Sequence, residues 1–147
     1  MGAITSRGRA GLWFLPRNTT MNATSYLEVL KEKVPVWMDL LGASTFQQDG
    51  APCHTAKKVR DWFNTQSFDL LHPWPGSSPD LNIIENVWAH MKRKVSALHP
   101  TSFDSLCEAI KEVWVEEVSV EYCQKLYKSI PKRIHAVLQA KGGSTRY

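Results

Sequence analysis

The order of extended and helical patterns along this 147-residue chain predicts an α/β fold. Two extended runs open the sequence, a third precedes residue 49, and stretches of helical period separate and follow them. Strands that alternate with helices are typical of a sheet with helices packed on it. The hydrophobic content of 43% is enough for one compact domain, which is the expected number at this length.

Each element of the first half follows from a local pattern. Residues 2–15 hold two extended runs about a Ser-Arg-Gly-Arg turn, which predicts a hairpin. Apolar residues recur at helical spacing over residues 26–41 and predict a helix that is kinked or broken near Pro35. Residues 45–47 suit a strand, residues around 59–63 place apolar side chains on one face of a short helix, and residues 68–72 predict a short strand.

The second half is predicted to be helical. After the loop PWPGSSPD, residues 81–95 keep a helical period, and Pro79, Asp80 and Asn82 supply the stop, the cap and the start of that helix. Two further helical stretches are expected at about 102–117 and 119–140. A late row of basic residues is expected to be solvated: Lys125, Lys128, Lys132 and Arg133.

Asp49 and Glu85 are the candidate site residues. Asp49 ends the third extended run and is followed by Gly50, whereas Glu85 lies beside the apolar stripe of its helix and is expected to face the edge of the sheet. A helix, a strand and a loop separate the two residues, so we expect their carboxylates to converge. Converging carboxylates suit Mg²⁺ or Mn²⁺ and phosphodiester cleavage. Taken singly, each residue has an alternative interpretation: Asp49 as a turn residue at the end of a strand, and Glu85 as a solvated carboxylate in the first turn of a helix.

Four segments resemble the catalytic domain of mariner-superfamily DDE transposases: GAITSRGRAGLWF, QQDGAPCHTA, VRDWF and SPDLNIIENVW. The resemblance runs through nearly the whole chain. It implies a ribonuclease H-like fold, a mixed sheet flanked by helices with a helical C-terminal part, in which three acids hold two metal ions that cut and join DNA. By this resemblance Asp49 is the second acid and Glu85 the third, both catalytic and both ligands of Mg²⁺ or Mn²⁺. Gly50 and Ile83 stand where the family usually has Asn and Pro.

The resemblance also implies an upstream strand, central in the sheet, that carries the first acid. We therefore expect residues 1–98 to form a partial DDE catalytic domain that lacks this strand, and residues 99–147 to form the C-terminal helices of the same domain. Such a chain is expected to bind metal weakly, to leave DNA uncut by itself, to be marginally stable and to self-associate. Cys53 and His54 have no partners at metal-ligand spacing, so we expect a structural role for His54.

Two basic clusters flank the candidate acids and suit DNA phosphates: Lys57, Lys58 and Arg60, and Lys92, Arg93 and Lys94. The alternative for both is a solvated helix face. The formal charge of +4 also favours an acidic partner, so we expect weak, non-specific DNA binding.

Two other functions stay open: a module that ignores DNA, or a dimerisation partner of full-length transposase. We expect no membrane partner and no secretion, since the sequence has neither a bilayer-length apolar run nor a signal-peptide pattern. The family resemblance implies a nuclear location, with the cytoplasm as the alternative.

Overall fold

The computed structural model describes residues 1–76, 78–143 and 145–147; Ser77, inside the predicted loop of residues 73–80, and Ser144 lie outside the described residues. The described elements, in chain order, are β1 Gly2–Thr5, β2 Gly8–Leu12, α1 Ala23–Leu41, β3 Thr45–Phe46, α2 Pro52–Thr55, α3 Lys57–Phe63, β4 Asp69–Leu70, α4 Ile84–Ala97, α5 Phe103–Glu117, α6 Val120–Lys128 and α7 Ile130–Gln139. Short strands and longer helices confirm the predicted α/β class. The described strands form two two-stranded sheets, β1 with β2 antiparallel and β3 with β4 parallel.

The described chain divides into two compact units. The first contains Met1 and Trp13–Ser78, and the second contains Gly2–Leu12 and Pro79–Tyr147. The hairpin β1–β2 therefore belongs to the same unit as helices α4 to α7, although the first unit lies between them in the sequence. The expected boundary between residues 98 and 99 stays a prediction.

Helix α1 of the first unit has well-defined ends. The Asn22 side chain accepts hydrogen bonds from the N–H groups of Thr24 and Ser25 at 2.8 and 3.1 Å, and the Asn22 N–H donates to Ser25 Oγ at 3.0 Å. These bonds satisfy N–H groups that have no partner inside the helix. The helix ends at Leu41, and the next residue, Gly42, forms a left-handed cap with a positive φ of 55° and an N–H bond to Asp39 O.

Helix α1 passes through Pro35 without a break. The sequence left open a kink or a break near this residue, and the helix is continuous from Ala23 to Leu41. Pro35 removes one backbone hydrogen bond, but the helix buries an apolar face on both sides of it, and that burial keeps the two halves together. The buried residues are Tyr26, Val29, Leu30, Val34, Trp37, Met38 and Leu41.

The two parallel strands β3 and β4 have two residues each and are shorter than the predicted strands of residues 45–47 and 68–72. Asp69 N–H donates to Ser44 O and Leu71 N–H donates to Phe46 O, both at 2.8 Å. Helix α3 packs beside this pair, since the ring of Phe63 stacks on that of Phe46 with 5.4 Å between centroids. The predicted strand, short helix and strand of this region are thus present in the expected order.

In the second unit, the hairpin is attached to the helices by side chains. Gly8 has a φ of 130°, a backbone conformation that glycine adopts far more readily than other residues, and it begins β2 after the tight turn. Trp114 Nε1 donates to Ala10 O at 2.9 Å, and Arg9 Nη1 donates to Val118 O at 2.8 Å. The predicted hairpin is confirmed, and its second strand ends at Leu12.

Two predictions about the later helices are wrong in detail. Helix α4 begins at Ile84 after Ile83 and has no side-chain cap, so Asp80 and Asn82 do not cap it. The predicted helix of residues 119–140 is two helices, because α6 ends at Lys128, with Ser129 as its C-cap, and Pro131 lies in the first turn of α7. Proline has no N–H to continue the bonds of α6, but it suits the start of a new helix.

The core of the second unit lies among these helices. Its buried residues are Ile83, Val87, Met91, Val95, Ala109, Val113, Trp114, Val118, Cys123 and Leu126. No helix within the described residues combines the length and the apolar character that crossing a bilayer requires.

Candidate functional site

Asp49 lies in the loop that follows β3, three residues beyond the end of the strand. Its Oδ1 accepts the Ala51 N–H at 3.0 Å and faces His54 Nδ1 at 2.6 Å. The side chain is 48% exposed, so it can reach a ligand from solvent. The Asp49 turn is followed by the short helix α2, and that single helical turn brings His54 back to the carboxylate.

Behind His54 lies a hydrogen-bonded network in the first unit. Tyr26 Oη donates to Gln48 Oε1 at 2.7 Å, and Gln48 Nε2 donates to His54 O at 3.0 Å. The rings of Tyr26 and His54 are packed with 4.1 Å between centroids. Burial raises the pKa of Tyr26, and negative charge at Cys53 and Asp49 raises it further.

This network was not predicted from the sequence. His54 was expected to have a structural role, and Tyr26 and Gln48 were placed only on secondary structure. The signal was present in the spacing, because a turn-forming Asp followed by Pro52 at the start of a one-turn helix returns the chain to the Asp. Which side chains meet there depends on α1, which is distant in sequence.

Glu85 lies in the first turn of α4, in the second unit. It is exposed, and its N–H donates to Asn82 O at 3.1 Å. The two residues before the helix, Asn82 and Ile83, are 9% and 7% exposed, so the start of α4 is anchored while the carboxylate stays accessible. The convergence of Asp49 with Glu85 stays a prediction.

The donor chemistry of Asp49 and Glu85 suits hard divalent cations, which take carboxylate oxygens. Both carboxylates are accessible to solvent. Within the described residues, no group of three or more Asp, Glu, His or Cys side chains could hold a metal ion. Each carboxylate by itself suits one ligand position of such a cation, and the use of both in one metal site stays a prediction.

The first basic cluster lies on α3 and is partly engaged. Lys57 Nζ lies 2.7 Å from Asp61 Oδ2, one helical turn along, and Lys58 Nζ donates to Thr24 Oγ1 at 2.5 Å. All three basic residues, Lys57, Lys58 and Arg60, are exposed. An exposed ion pair such as Lys57–Asp61 contributes little to stability.

The second basic cluster, Lys92, Arg93 and Lys94, is exposed on α4. Lys94 Nζ forms an ion pair with Glu117 Oε1 of α5 at 2.7 Å, and His90 Nε2 lies 3.0 Å from Glu117 Oε2. Hydrogen bonds from Lys94 and then His90 hold the pKa of Glu117 below its usual range. Lys94 is therefore already engaged by a partner within the chain.

Arg133 corrects the expected solvated row of late basic residues. Lys125, Lys128 and Lys132 are exposed, but Arg133 is 3% exposed. Its Nη1 donates to Asp80 O at 2.8 Å and its Nε donates to Ser129 Oγ at 2.7 Å. Burial lowers the pKa of its guanidinium. Arg133 thus supports the loop that leads into α4.

Comparison with known protein families shows the family of this chain. The sequence profile of the family described as DDE superfamily endonuclease matches residues 1–108, a span that contains both Asp49 and Glu85. The chain belongs to the DDE superfamily of endonucleases. This agrees with the resemblance seen in its motifs.

Relatives of this DDE-superfamily chain are transposases of nematode elements. The transposable element Tcb2 transposase of Caenorhabditis briggsae is 33% identical over 132 residues, which cover 88% of this chain and 48% of the relative. The transposable element Tc1 transposase of Caenorhabditis elegans is 36% identical over 102 residues, covering 69% of this chain and 37% of the relative. The chain thus spans about half or less of the length of these relatives.

Solved structures show the fold of this DDE-superfamily chain. It resembles the catalytic domain of Mos1 mariner transposase with a TM-score of 0.76 and 24% identity, covering 96% of this chain and 72% of that one. The same TM-score and identity are found for that domain with Raltegravir and Mn, covering 96% and 74%. The Mos1 strand transfer complex gives a TM-score of 0.78 at 23% identity, covering 96% and 42%. The chain therefore has the ribonuclease H-like fold of that domain, as predicted.

Proposed function

We propose that this chain supplies two metal-binding carboxylates, Asp49 and Glu85, to a transposase that cuts and joins DNA with Mg²⁺ or Mn²⁺. The observation that carries the proposal is the family match over residues 1–108, which spans both residues. The exposure of both carboxylates supports it. The Mos1 catalytic domain with Mn or Mg, and the Mos1 strand transfer complex, support the metals and the DNA partner by analogy.

The chemistry divides between the metal and the chain. When bound, a divalent cation would activate the attacking oxygen and stabilise charge on the phosphate. Asp49 and Glu85 would hold it through hard oxygen ligands. The Ala51 N–H already holds one oxygen of Asp49, so part of the carboxylate's orientation is set before metal binds.

The 147-residue polypeptide by itself is expected to bind DNA without cutting it at a useful rate. Two carboxylates leave a two-metal site short of ligands, and in-line displacement needs both metals in position. The test is incubation with transposon-end DNA and Mn²⁺, with products resolved on a denaturing gel. Cleavage products that disappear in Asp49→Ala would overturn this expectation for the isolated polypeptide and would support Asp49 as a catalytic residue.

DNA binding is proposed to be weak, insensitive to sequence and steeply dependent on salt, because lysine and arginine side chains hold phosphates without reading bases. Replacing Lys92, Arg93 and Lys94 with Gln should reduce the slope of log affinity against log salt by about 2 to 3. The matched control replaces three exposed cations of the later helices: Lys125, Lys128 and Lys132.

A variant of Glu117 tests the same surface in the opposite direction. It pairs with Lys94 at 2.7 Å, so Glu117→Gln should release Lys94, tighten DNA binding and steepen the salt slope by up to about 1. Fluorescence anisotropy with a labelled duplex measures both quantities. An unchanged slope in the Lys92, Arg93 and Lys94 variant would move the DNA surface elsewhere. Absence of binding at low salt would instead favour the interaction module or the dimerisation partner.

The location of the protein is also part of the proposal. A chain that acts on chromosomal DNA must reach the nucleus, so we propose a nuclear location in a eukaryotic cell, with a tagged chain and fluorescence microscopy as the test. Exclusive cytoplasmic fluorescence would contradict it.

A further inference from the structure

We infer that His54 is a positioning residue for Asp49: it holds Oδ1 through Nδ1–H, so that Oδ2 is the oxygen presented to a divalent cation. This inference rests on the proposed metal-binding role of Asp49. It concerns a residue outside the pair of acids, and it follows from contacts within the first compact unit.

The two oxygens of Asp49 have different surroundings. Oδ1 accepts the Ala51 N–H at 3.0 Å and lies 2.6 Å from His54 Nδ1. A carboxylate only accepts hydrogen bonds, so at this distance the hydrogen lies on Nδ1 and His54 is the donor. With both donors directed at one oxygen, the carboxylate cannot rotate freely and Oδ2 faces away from them.

His54 is itself held at two points. Its carbonyl accepts a hydrogen bond from Gln48 Nε2 at 3.0 Å, and its ring packs on that of Tyr26 at 4.1 Å between centroids. Tyr26 is 3% exposed and donates to Gln48 Oε1, so it is a fixed surface on which the ring rests. A ring held in place loses little further freedom when it binds Asp49, and the contact can persist although Asp49 is half exposed.

Carboxylates that bind metals are commonly oriented by hydrogen bonds from outside the ligand set, and loss of such a partner typically costs about 10- to 100-fold in metal affinity or activity. His54 is in the position of that partner. The Tyr26–Gln48–His54 network then links the buried face of α1 to the orientation of one catalytic carboxylate.

Two substitutions separate the hydrogen bond of His54 from its packing. His54→Phe keeps a ring against Tyr26 and removes the donor, whereas His54→Asn removes the ring and keeps an N–H near the place of Nδ1. Mn²⁺ is added to the isotope-labelled 147-residue chain, and its affinity is read from paramagnetic broadening of the Gly50 and Ala51 amide signals. We expect about tenfold weaker binding in His54→Phe and binding within about threefold of the parent in His54→Asn.

A second measurement does not need metal. Long-range ¹H–¹⁵N spectra report which nitrogen of a neutral imidazole carries the hydrogen, and His54 should give the Nδ1–H pattern. In Asp49→Ala, which removes an exposed side chain, the pattern should shift towards Nε2–H. His135, exposed on α7, is the internal control and should give the same spectrum in both chains. An Nε2–H pattern for His54 in the parent chain would overturn the inference.

The results for these variants distinguish a failure of this inference from a failure of the proposed function. If Asp49→Ala weakens Mn²⁺ binding and His54→Phe does not, the positioning role is wrong and the metal role of Asp49 stands. If Asp49→Ala leaves Mn²⁺ binding unchanged, the proposed metal site is wrong, and the role of His54 in it falls too. Parent-like binding in His54→Phe together with a loss in His54→Asn would mean that the ring supports the loop by packing alone, which also overturns the positioning role.

Discussion

At the scale of single residues, Tyr26 combines burial with a side-chain hydrogen bond. Its hydroxyl donates to Gln48 Oε1 at 2.7 Å, and the residue is 3% exposed. Tyr26→Phe should lower the free energy of unfolding by about 1 to 2 kcal/mol at neutral pH, because the Gln48 oxygen loses its donor inside the fold. Urea unfolding followed by circular dichroism measures the change.

The raised pKa of Tyr26 also predicts that the free energy of unfolding falls at alkaline pH. Burial raises its pKa in the folded chain, so the unfolded chain loses the phenolic proton first as pH rises. The stabilisation from this group is complete below the unfolded value of about 10 and is lost above it. The urea midpoint should therefore fall more between pH 8 and pH 10.8 in the parent than in Tyr26→Phe. Tyr127→Phe, at a 52% exposed position, should behave like the parent.

At the scale of elements, α7 is attached to the loop before α4 by Arg133. The guanidinium donates to Asp80 O at 2.8 Å and to Ser129 Oγ at 2.7 Å, and it lies 4.7 Å from the centre of the Tyr147 ring. Arg133→Met should destabilise the chain by roughly 2 to 4 kcal/mol, because two partly buried acceptors lose a charged donor. Amide exchange in residues 80–85 should rise at the same time.

A matched control for Arg133 lies beside it on the same helix. Lys132 is exposed, so Lys132→Met should change the free energy of unfolding by no more than about 0.5 kcal/mol. If both variants unfold at the same urea concentration, the buried guanidinium contributes no net stability. That result would also remove Arg133 as a support of the helix that carries Glu85.

At the scale of the whole molecule, the compact units do not follow the order of the chain, because one unit combines segments from both ends of the sequence. The hairpin of residues 2–12 belongs with the C-terminal helices, where Trp114 donates to Ala10 O and Arg9 donates to Val118 O. A side chain at Gly2 would come within 3.0 to 3.1 Å of Trp114 and Trp88, so the strand lies directly on these rings. The hairpin is therefore part of the packing of the second unit.

Removal of residues 2–12 tests this arrangement. Hydrogen exchange followed by mass spectrometry should show at least about tenfold faster exchange in α5 and α6, which corresponds to about 1.4 kcal/mol of lost protection. Helix α1, in the first unit, should keep its exchange rates and is the internal control. Faster exchange in α1 with unchanged rates in α5 would contradict the assignment of the hairpin to the second unit.

The sequence by itself determined the fold class, the order of the elements and the family. These follow from local periodicity, from turn residues and from motifs such as QQDGAPCHTA, all of which are properties of neighbouring residues. The unbroken passage of α1 through Pro35 was less predictable, because it depends on the apolar face that the helix buries, whereas the division near Ser129 has a local signal in Pro131.

The candidate site was predicted only in part. Asp49 and Glu85 were identified from motifs, but only the tertiary structure showed that His54 contacts Asp49, that Tyr26 and Gln48 hold His54, and that Arg133 is buried. The physical reason is that hydrogen bonds and burial join residues distant in sequence. A local pattern can name a carboxylate, whereas the packed chain alone decides what holds it in place.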